Sequence, residues 1–228
     1  MKFTLIGGAG SVGGWLTENL RRRGHQVLVA DAAVTDESPD QTRIDALSPA
    51  DVARVVEGAD LVVHLAAIVP QADEPPARTG LAYAVNVGSV VECLRACRDA
   101  VVPMVHISSM SVFEQYLRVP VDPRGRGDNT DTYGFSKRLA EFACHEFAGQ
   151  FDMRVTSLRL AFPTSDEAWP LWERPRGLGR TERFMDDGTP VPALAASQLA
   201  DVVEECLQMP FGHRALAVTG APVTLIEG

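Results

Sequence analysis

Three glycines near the start of the chain restrict its fold more than any other feature. Gly7, Gly10 and Gly13 lie in a Gly-x-x-Gly-x-x-Gly spacing between "KFTLIG", an apolar run with strand character, and a helix-period segment over 11–23. A backbone that turns this sharply from strand to helix needs residues without a Cβ. The helix closes on Arg21, Arg22, Arg23 and Gly24, with cations and a glycine where a C-terminus favours them. Strand and helix then keep alternating. "QVLVAD" and "TRIDA" read as strands, "SPADVARVVEGA" as a helix with a Ser-Pro cap, and "DLVVHLAA" as a buried strand. A long helix over 79–99, the strand "VPMVHISS", a helix over 131–148 and the strand "RVTSLRLA" follow. The alternation predicts an α/β fold: a doubly wound parallel sheet of Rossmann type, with right-handed crossovers and helices on both faces. From 163 to 190 the periodicity is lost, which predicts a loop over the site, before a helix over 196–209 and a last strand "RALAVTG".

Composition limits the partners. A net charge of −9 disfavours nucleic acid and anionic membrane, both of which reward basic surfaces. No apolar run is long enough to cross a bilayer, and the chain opens directly into a strand, so a cytoplasmic protein is expected. Cys93, Cys97, Cys144 and Cys206 form no Cys-x-x-Cys pair and read as buried reduced thiols, with no metal site expected.

The glycine loop leaves room for a pyrophosphate to approach the backbone, and the N-terminus of the following helix, with Ser11 and Val12 in its first turn, offers free N–H groups to it. Asp31 ends the second strand. A carboxylate there accepts from ribose hydroxyls and repels a 2′-phosphate, so the pair points to NAD rather than NADP. The other signal is "YGFSK". Lys137 is one of two lysines among 21 basic residues, and it lies four residues after Tyr133, one of three tyrosines. Four residues is one helical turn, so the ammonium is expected beside the phenol, lowering its pKa towards the range of a general acid–base. "HISSMSVF" supplies Ser108, Ser109 and Ser111 as candidate hydroxyls at the end of the preceding strand. His64 and His106 occupy inward strand positions and read as core residues.

The order of these motifs, with "HLAA" and "YAVNVGSV" between them, resembles the extended short-chain dehydrogenase/reductases, the NAD-dependent epimerase/dehydratase group, over about residues 1–163. The resemblance implies Ser109, Tyr133 and Lys137 as the catalytic set. It further implies Asp45 and Ala46 at the adenine, and Leu65, Ala66, Ala67 and Asn86 along the cofactor, with Tyr133 and Lys137 also meeting it. A homodimer through the helices over 79–99 and 131–148 is implied as well. The corresponding division is an NAD-binding Rossmann domain with the catalytic motif over 1–163, and a small C-terminal substrate-binding annex with a closing helix and strand over 164–228.

Departures from the family's pattern narrow the substrate. Met110 and Ser111 stand where sugar-nucleotide dehydratases carry an acid pair, and Phe162 precedes Pro163 where nucleotide-sugar epimerases usually carry asparagine. Only a short stretch follows Pro163. The small-substrate branch, which includes uronate dehydrogenases, is therefore the expected relative. Arg174, Arg176, Arg180 and Arg183 are candidate clamps for a carboxylate. The expected activity is hydride exchange between NAD and a small polar substrate. An epimerase with retained NAD, acting on a sugar or nucleotide sugar, and a non-catalytic dinucleotide-binding regulator are the alternatives.

Overall fold

The computed structural model describes residues 1–70, 76–174 and 177–220. In chain order the strands are β1 (Lys2–Ile6), β2 (Gln26–Asp31), β3 (Gln41–Arg43), β4 (Leu61–His64), β5 (Met104–Ser109) and β6 (Arg154–Leu160). The two-residue strands β7 (Pro163–Thr164), β8 (Trp172–Glu173), β9 (Arg180–Thr181) and β10 (Leu194–Ala195) precede β11 (Gly212–Val218). The helices are α1 (Ser11–Arg22), α2 (Pro49–Val56), α3 (Pro76–Tyr83), α4 (Ser89–Ala100), α5 (Thr132–Phe151) and α6 (Ala196–Glu205). One seven-stranded sheet runs β11-β6-β5-β4-β1-β2-β3 with every pairing parallel. The doubly wound fold is as the alternation requires.

Period-two alternation on strands buried on both sides fills two cores. Ile6, Val62, Met104 and Val155 pack with α2, α4 and α5. Phe3, Leu5, Val63, Val105 and Leu158 face α1 and α6. A third, smaller cluster joins Met110, Val112, Phe113, Ala161, Phe162 and Ala193 under the annex.

Two expectations about organisation change. The helix over 79–99 is α3 and α4 joined by a π-helical turn, Ala84–Gly88, rather than one regular helix. A π turn bulges one residue out of the α register, and here it carries Asn86 inward to a fully buried position. The loop over 163–190 holds the short strands β7, β8 and β9: β8 pairs with β9, and β7 pairs with β10 just beyond the loop. Beyond 163, the closing helix α6 packs on α1 and the closing strand β11 completes the main sheet beside β6.

The α5 side of the sheet is unusually polar. Arg159 on β6 and Glu141 on α5 form a buried ion pair, Nη2 to Oε2 at 2.6 Å and Nε to Oε1 at 2.9 Å. The Ser108 hydroxyl donates to Glu141 Oε1 at 2.6 Å, and Arg159 Nη1 donates to the carbonyls of Pro123 and Gly125 at 2.6 and 2.9 Å. Every charge in this group has partners, so losing one member leaves an uncompensated buried ion. Glu141→Leu is expected to destabilise the protein by about 3–5 kcal/mol in denaturant unfolding, and Glu141→Leu with Arg159→Met to restore part of that loss.

Candidate active site

The sheet order reverses between β1 and β4, where strands leave in opposite directions and open a crevice at their C-terminal ends. Two loops meet there. The amides of Leu65 and Ala66 donate to the Ile6 carbonyl at 2.7 and 3.0 Å. Gly7 has φ +82°, and a Cβ on it would come within 2.3 Å of Ala66 N. A Cβ on Gly13 would come within 2.5 Å of the Gly8 carbonyl oxygen, so α1 can start only where glycine sits. Gly10 differs: its Cβ would meet only the Gly7 carbonyl oxygen, at 3.7 Å. The fold itself does not require glycine at position 10, and the space above it is open. Ala9, Gly10 and Ser11 form the exposed rim of this loop, with Val12 half-buried below.

Asp31 lies at the end of β2, half-buried, its Oδ2 accepting from Ala9 N at 3.0 Å and its Oδ1 from Ala33 N at 2.9 Å. The carboxylate is thereby fixed against the glycine loop. Asp45, Ile44 and Arg43 line a shallow depression beyond it with Ala32 and Asp51. The Asp45 carboxylate accepts from Leu47 N at 2.9 Å, capping the turn that carries Ala46. Leu65 and Ala66 are half-buried and Ala67 is exposed along the crevice wall.

Ser109 ends β5, and its Oγ accepts from Ser111 N at 3.1 Å. Tyr133, in the first turn of α5, stands close enough to Ser109 for that side chain to favour its ionised form. Asp131 caps this helix, its Oδ1 accepting from Gly134 N at 2.7 Å. A Cβ on Gly134 would lie 2.3 Å from the Ser111 carbonyl oxygen, so the glycine inside "YGFSK" is what lets α5 come this close to the serine turn. Lys137 is fully buried one turn on, with Nζ 5.9 Å from the Tyr133 ring centroid and donating to the Ile107 carbonyl at 2.7 Å. Ser108, by contrast, points to the opposite side of the sheet and is engaged by Glu141.

A scan of protein families matches the chain over residues 3–167 to the NAD dependent epimerase/dehydratase family. The chain belongs to this family. A UDP-glucose 4-epimerase of Corynebacterium glutamicum is 29% identical over 167 residues, which is 70% of this chain and 50% of that protein. The chain thus spans half the length of this curated relative. A short-chain dehydrogenase/reductase superfamily protein from Agrobacterium tumefaciens with bound NAD superposes with a TM-score of 0.77 at 18% identity, covering 98% of this chain and 78% of that one. A mutated uronate dehydrogenase gives 0.74 at 17% identity, covering 98% and 75%. A UDP-glucose-4-epimerase from Stenotrophomonas maltophila with bound NAD and formylated UDP-arabinopyranose gives 0.78 at 20%, covering 96% and 78%. These three establish the fold.

Against the family pattern, the structure brings Ser109, Tyr133 and Lys137 together and arranges the glycine loop, Asp31 and 65–67 along one crevice. Asn86 is held on three sides by the protein itself. Its Oδ1 accepts from Ile68 N at 2.7 Å, and its Nδ2 donates to Ile68 O and Ser136 Oγ, both at 2.9 Å. With both donors committed, it latches the crevice wall to α5. Of the four loop arginines, Arg174 and Arg180 are exposed, Arg183 is half-buried against Phe162, and Arg176 lies outside the described residues. Sequence reasoning missed Glu141 and Arg159, whose only signal was their inward position on α5 and β6. His64 and His106 are core residues as expected. The Ser89 hydroxyl donates to the Val85 carbonyl, so His64 Nε2 donates to Ser89 Oγ at 2.8 Å, and burial lowers its pKa to about 3.

The phenol is not depressed as "YGFSK" suggested. Burial raises Tyr133 to about 12, outweighing the opposing effect of the nearby Ser109 hydroxyl. Burial also lowers Lys137 to about 8, partly offset by the Glu141 carboxylate. The ammonium sits beside a carbonyl and at a distance from the ring, and it is itself poorly stabilised. A lysine depressed in the folded state binds fewer protons there than when unfolded, so its contribution to stability rises with pH between about 8 and 10.5. Buried thiols such as Cys144, raised to about 12, act in the opposite direction, so the difference between variants isolates the lysine. Lys137→Met is expected to unfold at higher denaturant than the wild type at pH 7, by an amount on the order of 3 kcal/mol that shrinks towards pH 10.5. An unchanged difference across that window would contradict the assignment.

Proposed function

We propose that this protein binds NAD in the crevice between β1 and β4 and exchanges hydride with a hydroxyl or carbonyl carbon of a small polar substrate, using Ser109, Tyr133 and Lys137. The observation that carries the reading is the seating of α5 on the serine turn at Gly134, which sets Tyr133 beside Ser109 with a buried lysine one turn away, at the sheet edge where the glycine loop opens. The open space over Gly10, against the protein-imposed need for glycine at 7 and 13, fits a pyrophosphate, and the fixed Asp31 carboxylate fits ribose hydroxyls. Asp45, Ala46, Leu65, Ala66 and Ala67 would line the rest of the cofactor, and Asn86 would hold that wall in place.

Bound NAD supplies the hydride acceptor or donor. Ser109 orients the substrate oxygen and Tyr133 exchanges a proton with that same oxygen. A phenol near 12 is protonated at neutral pH and ready to donate. Taking a proton from a substrate hydroxyl needs the phenolate, which positive charge stabilises, and Lys137, with Nζ 5.9 Å from the ring, would contribute only while it stays protonated. Phe162 precedes Pro163 where nucleotide-sugar epimerases usually carry asparagine, which favours a small substrate over a nucleotide sugar.

Likeness to a UDP-glucose 4-epimerase keeps a second reading open, in which the same carbon is oxidised and re-reduced on retained NAD. NADH accumulating from NAD and substrate excludes the closed cycle. Tyr133→Phe is expected to lower kcat by roughly 10²–10⁴ in either case, because it removes the proton-transfer group while leaving the ring. Full turnover in that variant would falsify the reading.

The protein is further proposed to dimerise through α5 and the helices beside it. Phe135 and Phe142 lie two helical turns apart on one face of α5, and Phe142 is 60% exposed. Light scattering at micromolar concentration is expected to give a dimer that Phe142→Glu converts to monomer, and a monomeric wild type would refute the assembly.

A further inference from the structure

We propose that the cavity between α5 and the edge strand β11 is a second ligand site, separate from the crevice, and that it takes a phosphate monoester with an apolar body. The cavity measures about 540 Å³, a size usual for small-molecule sites and far more than a free phosphate fills. None of Gly7, Gly10, Asp31, Ser109, Tyr133 or Lys137 lines it. The site therefore stands independently of the hydride-transfer reading.

Its walls are cationic in a chain whose net charge is −9. Arg124, Arg126, Arg138, Arg159 and Arg214 line it, against Glu141 and Glu146. Glu141 is committed to Arg159 and Ser108, and among the described residues the other four arginines form no ion pair. Arginines without an ion pair occur elsewhere, Arg183 among them, but here four of them meet at one cavity. Five arginines over two glutamates leave three net positive charges before any histidine is counted. A single carboxylate would leave most of that surplus in place. A phosphate monoester brings about −1.5 to −2 at pH 7 and three acceptor oxygens, which suit guanidinium forks. Phe135, Leu139 and Leu216 supply apolar wall, where a free anion would gain nothing and an apolar body would be buried.

The cations are held before any ligand arrives. Arg124 and Arg126 flank Gly125 in a turn pinned at each step. Asp122 Oδ1 accepts from Arg124 N at 2.9 Å, and the Asp122 carbonyl accepts from Gly125 N at 3.0 Å. The carbonyls of Pro123 and Gly125 accept from Arg159 Nη1 at 2.6 and 2.9 Å, which ties the turn to the buried ion pair in the cavity wall. Arg138 lies over the Phe135 ring at 5.5 Å with its Nη1 donating to the Asn129 carbonyl at 2.9 Å, while its Nε is buried without an acceptor. Fixing the donors in advance lowers the ordering cost of binding. The positive field reaches the histidines of the wall. His213 and His145 stand 6.0 Å apart, and His213 Nε2 lies 2.9 Å from Ser157 Oγ. Burial, then the charges of His145 and Arg159, lower His213 to about 4, so at pH 7 it is neutral.

The test is calorimetric titration of the full chain with four probes: 1-naphthyl phosphate, 1-naphthoate, 1-naphthol and inorganic phosphate. Phe142, assigned above to the dimer face, also lines the cavity, so the protein is used in its native assembly. Naphthyl phosphate is expected to bind tightest. Arg124 and Arg126 are exposed, so replacing both by alanine should leave the fold intact while weakening naphthyl phosphate roughly 10–100-fold. Gly10→Ala fills the open space over the glycine loop and should leave naphthyl phosphate affinity unchanged. No binding of naphthyl phosphate, or equal binding of naphthoate, naphthol or inorganic phosphate, overturns the proposal. Wild-type affinity in the Arg124→Ala, Arg126→Ala protein overturns it as well. A loss in Gly10→Ala that matches the loss in the arginine variant would put the probe in the crevice and remove the second site.

Discussion

The approach of two backbones at Gly7 is the constraint from which the rest of the site follows. β1 has neighbours on both sides, and beyond its end the chain must leave one way into the glycine turn while β4 leaves the other. With Gly7 lacking a Cβ, the 65–67 loop hydrogen-bonds to the Ile6 carbonyl and lies against the turn. Any other residue at 7 would force the two loops apart and separate the two walls of the crevice. Gly134 repeats the device at the other end, seating α5 on the Ser111 carbonyl so that a phenol from a helix meets a hydroxyl from a strand. Position in this site is thus set by missing side chains as much as by those present.

A second feature is the polar seam on the α5 side. Lys137, Glu141, Ser108 and Arg159 lie under a helix that carries the proposed proton donor, and none of them is exposed. Buried ions seldom add net stability, yet once paired they fix geometry, since any slip leaves a charge without a partner. Here the pairing ties α5 to β5, β6 and the 123–125 turn at once. Rigid support of this kind is what a proton-transfer site needs, where small displacements matter.

How much of this was legible in the sequence depends on range. The sheet, the glycine turn and the pairing of Tyr133 with Lys137 follow from local periodicity and spacing, so they were readable. The choice of Ser109 over Ser108 came from the family pattern, and the geometry that separates them is strand alternation: one faces the crevice and the other Glu141. What was not legible depends on contacts distant along the chain. Asn86 resembles a cofactor contact until Ile68 and Ser136 are seen to occupy both its donors. The π turn that carries it leaves no mark in hydrophobic period. The phenol's pKa was misjudged for the same reason, because one helical turn of spacing says that two groups are near but not which is more deeply buried.

Burial acts on both partners against their charged forms, raising Tyr133 and lowering Lys137, so the protein alone holds the pair closer to a neutral phenol than to a phenolate and ammonium. Proton donation to a carbonyl therefore needs nothing more from the protein. Proton removal needs added positive charge near the phenol. A desolvated Tyr–Lys pair is thus set for donation by the protein and shifts towards removal only with a charge brought into the crevice from outside it.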